Sequence, residues 1–227
     1  MATKTHKRLP DKQTKLVNGF KPRTDKQRQL VELIEDNEIV IAKGVPGSGK
    51  TYVALATALG LLSSTYKKVI LVKSVTTIPG EEIGFLKGGM AEKMEPFMMS
   101  YVWNIDKICN VGTAKDLMDK NLLQVLPLAY IRGLSIDNSV VIFDEVQNMD
   151  KDTFKTIITR IGENSKYIFL GDVEQIDRKK KSESCLEHVL RLFSNSDLVK
   201  TLEFMDEDCV RNPKIPKILA ILRENNI

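Results

Sequence analysis

The chain has 227 residues, the size of one domain or two very small ones, and can bury a core without metals or disulfides. Its 42% hydrophobic and 28% charged residues are ordinary for a soluble globular protein. The formal net charge is +4, but residues 1–28 carry nine Lys or Arg and only two Asp, so the remainder is slightly negative. This distribution excludes a uniformly basic, histone-like binder.

Cysteine usage and hydropathy predict a cytoplasmic protein. Cys109, Cys185 and Cys209 are odd in number and form no Cys-x-x-Cys pair, so we expect a reducing compartment and no zinc site. No apolar stretch follows the basic N-terminus, which argues against a signal peptide. The longest apolar run, Val53 to Leu62, is interrupted and too short to cross a bilayer, so we expect no membrane contact.

The first residues differ in composition from the rest of the chain. Residues 1–23 are polar and basic and carry two prolines, which predicts a flexible arm. One folded domain is expected over residues 24–227. Thr24 is a favourable N-cap for a first helix that runs to about Glu35.

Apolar runs and helical patterns alternate through the expected domain. Four apolar runs that end in small, polar or charged residues predict buried strands at Ile39–Ala42, Val69–Val72, Val140–Phe143 and Tyr167–Leu170. Two further strands are predicted at Leu122–Leu126 and Leu198–Phe204. Helical patterns occupy Lys50–Leu62, Lys151–Arg160 and the region from Met90 to Trp103, the last broken near Pro96. This alternation predicts an α/β fold with a mostly parallel sheet and helices on both faces.

A glycine-rich segment lies between the first predicted strand and the helix that follows. It fits the pattern G-x-x-x-x-G-K-[ST] and consists of Gly44, Val45, Pro46, Gly47, Ser48, Gly49, Lys50 and Thr51. Glycines permit positive φ angles and let backbone N–H groups converge on phosphate oxygens, and the helix N-terminus points at the same anion. Lys50 would reach the β- and γ-phosphates and Thr51 would be a ligand for Mg²⁺. The segment predicts a nucleotide site.

Two carboxylates follow the third buried strand. In a phosphate-loop protein, this is the position of the second Mg²⁺-holding element. We expect Asp144 to hold the metal ion and Glu145 to orient or deprotonate the attacking water. Adjacent carboxylates are more typical of nucleotide hydrolases than of nucleotide kinases, whereas an isolated pair is usually a solvated strand end.

The next strand also ends in polar residues, Gly171 to Asp177. Gln175 in this segment can hydrogen-bond both the γ-phosphate and the attacking water, and would thereby distinguish ATP from ADP. Such a segment alone is weak evidence, since an ordinary strand-to-helix turn has the same composition. Its position after the two earlier motifs favours the catalytic interpretation.

Several stretches, in this order along the chain, resemble the PhoH-like ATPases. They are Tyr130–Gly133, Val141–Asn148, Thr159–Gly162 and Gly171–Asp177. Residues 84–88 (Gly-Phe-Leu-Lys-Gly) are similar to a Gly-Phe-Leu-Pro-Gly loop of that family, and Val210–Pro213 to its late Val-Arg-His-Pro. The resemblance extends from about Pro22 to Leu222.

This resemblance implies a single RecA-like P-loop NTPase core, related to superfamily 1 helicases, that binds and hydrolyses ATP with RNA or single-stranded DNA as partner. It also implies that Gln27 reads the adenine and that Arg211 contacts the γ-phosphate. For each residue a surface role is the alternative, and the sequence leaves open whether Arg211 serves its own site or that of a neighbouring subunit. We expect no RNA cleavage, because the chain lacks an attached nuclease domain.

Nucleic-acid contacts are the least defined part of the resemblance. Lys73, Thr76, Thr77 and Lys93 correspond to positions where helicase relatives touch the phosphodiester backbone, although each could be an ordinary solvated side chain. The chain departs from the family pattern at Val72–Ser74, at Lys87 and at Arg178–Lys181. The basic arm could add non-specific phosphate contacts or serve only as a solubilising tail.

Chain length leads to a prediction about assembly. Superfamily 1 helicases place the nucleotide between two such domains, and this chain has room for one, so we expect a homo-oligomer such as a hexameric ring. Two alternatives to a helicase-like ATPase stay open. One is a nucleotide-gated interaction protein without motor activity, and the other is a phosphate-loop kinase of a small substrate.

Overall fold

The structure of the protein is a computed structural model that describes residues 16–62, 65–74, 90–176 and 184–225, without the side chains of residues 90–97. Several predicted features lie outside the described residues. They are the first part of the arm, Thr76, Thr77, the loop at 84–88, the basic run Arg178–Lys181 and the side chain of Lys93.

A six-stranded sheet forms the centre of the molecule. Its strands are β1 (Ile39–Gly44), β2 (Lys68–Lys73), β3 (Leu123–Pro127), β4 (Ser139–Asp144), β5 (Lys166–Gly171) and β6 (Lys200–Phe204). Their order is β3-β2-β4-β5-β1-β6, and every neighbouring pair is parallel. The predicted parallel α/β architecture is confirmed.

Eight α-helices lie in the described part of the chain. They are α1 (Asp25–Asp36), α2 (Lys50–Leu61), α3 (Met90–Ile108), α4 (Thr113–Asp119), α5 (Leu128–Ile131), α6 (Lys151–Ile158), α7 (Leu186–Leu192) and α8 (Lys214–Glu224). The Thr24 side chain caps α1 by accepting a hydrogen bond from the backbone N–H of Gln27, as predicted.

Helix α3 is continuous, so the predicted break near Pro96 is wrong. A proline inside a helix removes one backbone hydrogen bond and bends the chain, but it does not end a helix that tertiary contacts hold. Those contacts come from the later turns of α3, where Tyr101, Ile105 and Ile108 are buried in the core.

Strand residues alternate between two hydrophobic clusters, one on each face of the sheet. Val40 and Ala42 belong to the cluster beneath α1 to α4, whereas Ile41 between them belongs to the cluster beneath α5 to α7. The second cluster includes a stacked pair, Phe143 and Phe169, whose ring centroids lie 4.7 Å apart. Each fully buried aliphatic or aromatic side chain contributes about 1.5–3 kcal/mol to the free energy of unfolding. Dense packing of side chains on both faces makes the sheet rigid.

The packed region begins before α1. Leu16, Val17 and Phe20 pack against the cluster beneath α1 to α4, and the backbone N–H of Asn18 donates to the carbonyl oxygen of Ile108 at 3.1 Å. Residues 16–23 therefore pack against the domain, although the predicted boundary assigns them to the arm.

The topology brings three strand ends together. Strand β5 lies between β1 and β4, so the carboxyl ends of these three parallel strands meet at one edge. Ligands of open parallel sheets bind at this edge. None of the described helices is long and apolar enough to cross a membrane.

Gly44, the last residue of β1, provides a test of the packing at this edge. Its φ is +147°, and a Cβ there would lie 2.3 Å from the Phe204 carbonyl oxygen, so we expect Gly44→Ala to lower the free energy of unfolding by more than about 2 kcal/mol. Gly60 in α2 has no atom within 4 Å of such a Cβ, so Gly60→Ala should instead raise it by about 0.5–1 kcal/mol. Urea unfolding measures the free energy of unfolding of both variants. Equal changes in the two variants would contradict the close approach of Phe204 to Gly44.

Candidate active site

The glycine-rich loop connects β1 to α2 at the sheet edge described above. Gly47 and Gly49 have φ angles of +80° and +84°, and Gly49 is the N-cap of α2. A Cβ on Gly47 would lie 3.0 Å from Arg211 Cβ, and one on Gly49 would lie 2.8 Å from Gln27 Nε2. Glycine is therefore required at both positions for two reasons. The backbone has a positive φ angle, and Arg211 and Gln27 leave no room for a side chain.

The Lys50 side chain turns back over this loop. Its ammonium group donates to the carbonyl oxygens of Gly44 (2.7 Å) and Val45 (2.9 Å) and to Ser48 Oγ (3.2 Å). Burial lowers the pKa of Lys50, and the nearby carboxylates, Asp172 first, oppose that effect. A cation is thus held where the predicted phosphates would lie.

Thr51 and Asp144 bring the loop and the end of β4 together. Thr51 Oγ1 lies 3.3 Å from Asp144 Oδ1. Asp144 also accepts a 3.1 Å hydrogen bond from the Tyr101 hydroxyl and one from the backbone N–H of Glu145. Burial, followed by the charge of Glu145, raises the pKa of Asp144.

Tyr101 is a site residue that sequence reasoning missed. It is only 2% exposed, and burial followed by the charge of Asp144 raises the pKa of its hydroxyl well above the usual value. Its position on α3 carries no motif, because it depends on how that helix packs across the sheet. The hydroxyl orients the carboxylate that is predicted to hold the metal ion.

Lys73, a predicted nucleic-acid contact, lies at the end of β2 and is aligned with Asp144 in the sheet register. Its positive charge lowers the pKa of Asp144 and so opposes the effect of burial. The structure thus places Lys73 beside the acidic pair, and contact with nucleic acid stays a prediction.

Glu145 begins a short 3₁₀ turn, Val146–Asn148, and adopts a left-handed conformation with a φ of +59°. Its Oε2 accepts a 2.6 Å hydrogen bond from Nε2 of Gln147. Gln147 is only 1% exposed. It too was missed as a site residue, although it lies only two positions after Glu145 within the stretch that carries the family resemblance.

The end of β5 provides the third part of the site. Asp172 is buried, and its Oδ1 accepts from the backbone N–H of Glu174 while its Oδ2 has no hydrogen-bond partner. Burial raises the pKa of Asp172, and the charge of Lys50 opposes this. Gln175, three residues on, lines the same cavity as the phosphate loop.

Arg211 lies beside the phosphate loop of its own chain. The backbone N–H of Val210 donates to the Gly47 carbonyl oxygen at 3.0 Å, and this bond fixes the arginine segment on the loop. Farther along, Arg223 of α8 forms ion pairs with Glu174 (2.8 Å) and Asp206 (2.6 Å). Arg211 lines the cavity of its own chain, and its contact with the γ-phosphate, in this site or in that of a neighbouring subunit, stays a prediction.

Gln27 is buried between α1 and the phosphate loop. Its Nε2 donates to the Ser48 carbonyl oxygen at 2.9 Å, and its Oε1 accepts from the backbone N–H of Arg23 at 2.7 Å. The amide retains one further donor and one further lone pair. Gln27 therefore supports the loop, and its reading of adenine stays a prediction.

One cavity of about 760 Å³ is lined by most of these groups, although not by Lys73, Tyr101 or Gln147. Its lining includes Lys50, Thr51, the acidic pair, Asp172, Gln175 and Arg211. Aromatic and further basic groups line it as well. Among them, the Phe20 and Tyr52 rings lie 5.9 Å apart, and Lys107 Nζ lies 6.0 Å from the Tyr52 ring centroid. The cavity thus combines charged and aromatic groups, which suits a nucleoside triphosphate.

The donor set fits Mg²⁺ rather than a soft metal. Thr51 and Asp144 present adjacent oxygens, and Asp172 adds a buried oxygen without a partner. Within the described residues, no group of three His, Cys, Asp or Glu side chains could hold a metal ion alone. Mg²⁺ is usually bound by one or two carboxylates together with substrate phosphates, so a site of this kind needs the nucleotide.

Solved structures support the predicted RecA-like fold. The chain is similar to the large terminase of a thermophilic bacteriophage, with a TM-score of 0.52 over 88% of this chain and 50% of the terminase. The sequence identity is 13%, so the likeness concerns the fold alone.

Sequence relatives identify the family. The chain is 32% identical over 208 residues to a PhoH-like protein of Bacillus subtilis (strain 168), and these cover 92% of this chain and 65% of that protein. It is also 38% identical to Protein PhoH2 of the same organism over 170 residues. These aligned residues cover 70% of this chain and 38% of PhoH2. The chain thus spans less than two thirds of these relatives. The family model for the PhoH-like protein matches residues 19–223. The chain therefore belongs to the PhoH-like protein family.

Proposed function

We propose that the chain is a Mg²⁺-dependent ATPase that hydrolyses ATP to ADP and phosphate. The observation that carries this proposal is the convergence of Lys50, Thr51, the acidic pair, Gln175 and Arg211 on one cavity. Phosphoryl transfer needs mainly positioning and charge stabilisation, and these side chains supply both.

The phosphate loop binds the triphosphate in this mechanism. The backbone N–H groups of the loop and the N-terminus of α2 face the β- and γ-phosphates, and Lys50 exchanges its bonds to loop carbonyls for bonds to phosphate oxygens. Thr51 and Asp144 would hold Mg²⁺, which supplies positive charge next to the phosphate oxygens when it is bound.

The acidic pair and its neighbours carry out the hydrolysis. Glu145 accepts a proton from water as the water oxygen attacks the γ-phosphorus, while the bond to the β–γ bridging oxygen breaks and ADP leaves. Gln175 orients this water, and Arg211 stabilises negative charge on the transferred oxygens. Each of these side chains lines the cavity of its own chain.

The aromatic side chains that line the cavity are suited to the nucleoside. Phe20 and Tyr52 offer flat apolar surfaces for the base, and Lys107 adds positive charge near the sugar and α-phosphate. Gln27 lies close enough to line the same cavity.

We further propose that hydrolysis is coupled to RNA or single-stranded DNA, and that copies of the chain assemble into a ring. Family membership supports the coupling to nucleic acid, and assembly into a ring stays a prediction. A nucleotide-gated interaction protein without motor activity is the second candidate. The adjacent carboxylates disfavour a small-substrate kinase, which coupled assays with nucleosides would reveal.

Glu145→Gln tests the assignment of the general base. The amide cannot accept a proton, so kcat should fall at least about 100-fold while ATP binding changes little. Phosphate release and binding of a fluorescent ATP analogue measure the two quantities. Glu163→Gln is the matched control, because that exposed carboxylate lies outside the cavity and should leave kcat near the wild-type value. Near wild-type turnover by Glu145→Gln would refute the assignment.

Tyr101→Phe tests the metal assignment. Loss of the hydroxyl removes the donor that orients Asp144, so half-maximal activation should need about tenfold more Mg²⁺. ATPase rates across a Mg²⁺ titration provide the measurement. Tyr66→Phe removes a hydroxyl from another buried tyrosine outside the cavity and should not shift the titration. Superimposable curves for Tyr101→Phe and the wild type would contradict the role of the Tyr101 hydroxyl in orienting Asp144 for the metal ion.

Nucleic-acid coupling is tested by ATPase rates with and without RNA or single-stranded DNA, together with duplex unwinding. The helicase-like proposal predicts that at least one nucleic acid stimulates hydrolysis several-fold. Hydrolysis that neither nucleic acid stimulates would favour the interaction protein and leave the ATPase proposal intact.

A further inference from the structure

Gln147 is a fully hydrogen-bonded side chain beside the acidic pair, and the proposed mechanism gives it no part. It is 1% exposed and lies in the 3₁₀ turn after Glu145. A primary amide has two N–H donors and one carbonyl acceptor. Both donors and the acceptor of Gln147 are used within the site.

The three bonds connect two separate segments. Nε2 donates to Glu145 Oε2 at 2.6 Å and to the Gln175 carbonyl oxygen at 3.1 Å. Oε1 accepts from the backbone N–H of Asp172 at 3.0 Å. One side chain thus joins the proposed base to both ends of the segment 172–175, which carries the proposed γ-phosphate sensor.

The surrounding backbone keeps this amide in place. A Cβ on Gly171 would lie 3.0 Å from Gln147 Oε1, so the end of β5 rests directly against the amide. The segment 172–175 is closed by a hydrogen bond from the Gln175 N–H to the Asp172 carbonyl oxygen at 3.2 Å. The segment therefore cannot shift without shifting its bonds to Gln147.

We propose that Gln147 is a positioning residue that couples the sensor segment to the orientation of Glu145. This inference rests on the proposed ATPase function. When Gln175 engages the γ-phosphate, the Gln175 carbonyl and Asp172 N–H move with it, and the amide carries that movement to the Glu145 carboxylate. The base is thereby aligned when a γ-phosphate is present, and an ADP-bound site leaves it unaligned.

Gln147→Met is the variant that tests the coupling, since methionine has similar length but no donor. A hydrogen bond to a charged group contributes enough that kcat should fall about 10- to 100-fold. KM for ATP and the affinity for a fluorescent ADP analogue should change less than about threefold, because the phosphate loop is untouched. A purely structural role would lower ADP affinity and the melting temperature together with kcat.

Ile157→Val is the matched control for packing. Ile157 is buried in the same hydrophobic cluster as the residues around Gln147, and its shortening should change the melting temperature but leave kcat within about twofold. If Gln147→Met fails to fold, Gln147→Asn serves instead. It keeps the amide on a shorter side chain, and its kcat should also fall while ADP affinity is retained.

A double-mutant cycle tests whether Gln147 acts through Glu145. If it does, Gln147→Met should lower single-turnover hydrolysis less than about threefold when Glu145→Gln is already present. An equal cost of Gln147→Met on both backgrounds, or wild-type kcat in the single variant, would overturn the proposal and leave the ATPase function standing. A wild-type chain that hydrolysed no ATP would overturn both.

Discussion

The parallel alignment of β1, β5 and β4 is the constraint on which the site depends. The three strands are buried on both faces, so their register is set by side chains of two opposed hydrophobic clusters. Because the strands run in one direction, their carboxyl ends deliver the phosphate loop, the acidic pair and the sensor segment to a single edge. A slip of one residue in any strand would exchange its two faces and remove its polar end from the cavity.

The same packing concentrates charge at the cavity. Burial raises the pKa of Asp144 and of Asp172, and it lowers the pKa of Lys50. The positive charge of Lys50 and the negative charges of the two carboxylates stabilise each other, so their burial is tolerated. Hydrogen bonds from the Tyr101 hydroxyl and from backbone N–H groups stabilise the carboxylates further. A charge-rich pocket of this kind suits the proposed anionic nucleotide and its divalent cation.

Much of the fold was predictable because the strands are short, continuous apolar runs. The prediction placed β1, β2, β4 and β5 to within two residues, and the phosphate loop followed from its glycine spacing. Short helices such as α5 were not predicted, since four residues carry no periodicity. The break near Pro96 was mispredicted, because a local rule for proline ignores the tertiary contacts of α3.

The site was predictable where a residue follows a strand directly, as Asp144 and Glu145 do. Tyr101 was not predictable, since its place in the site depends on which elements pack side by side, and the sequence left open which subunit's site Arg211 serves. Gln147 lay within a recognised stretch, but its role emerges only from three hydrogen bonds to atoms distant in sequence. The most direct test of the central claim is phosphate release from ATP by the purified chain with Mg²⁺, compared with Lys50→Ala. The account predicts sustained release by the wild type and none by the variant, and ATP binding by the wild type without release would contradict it.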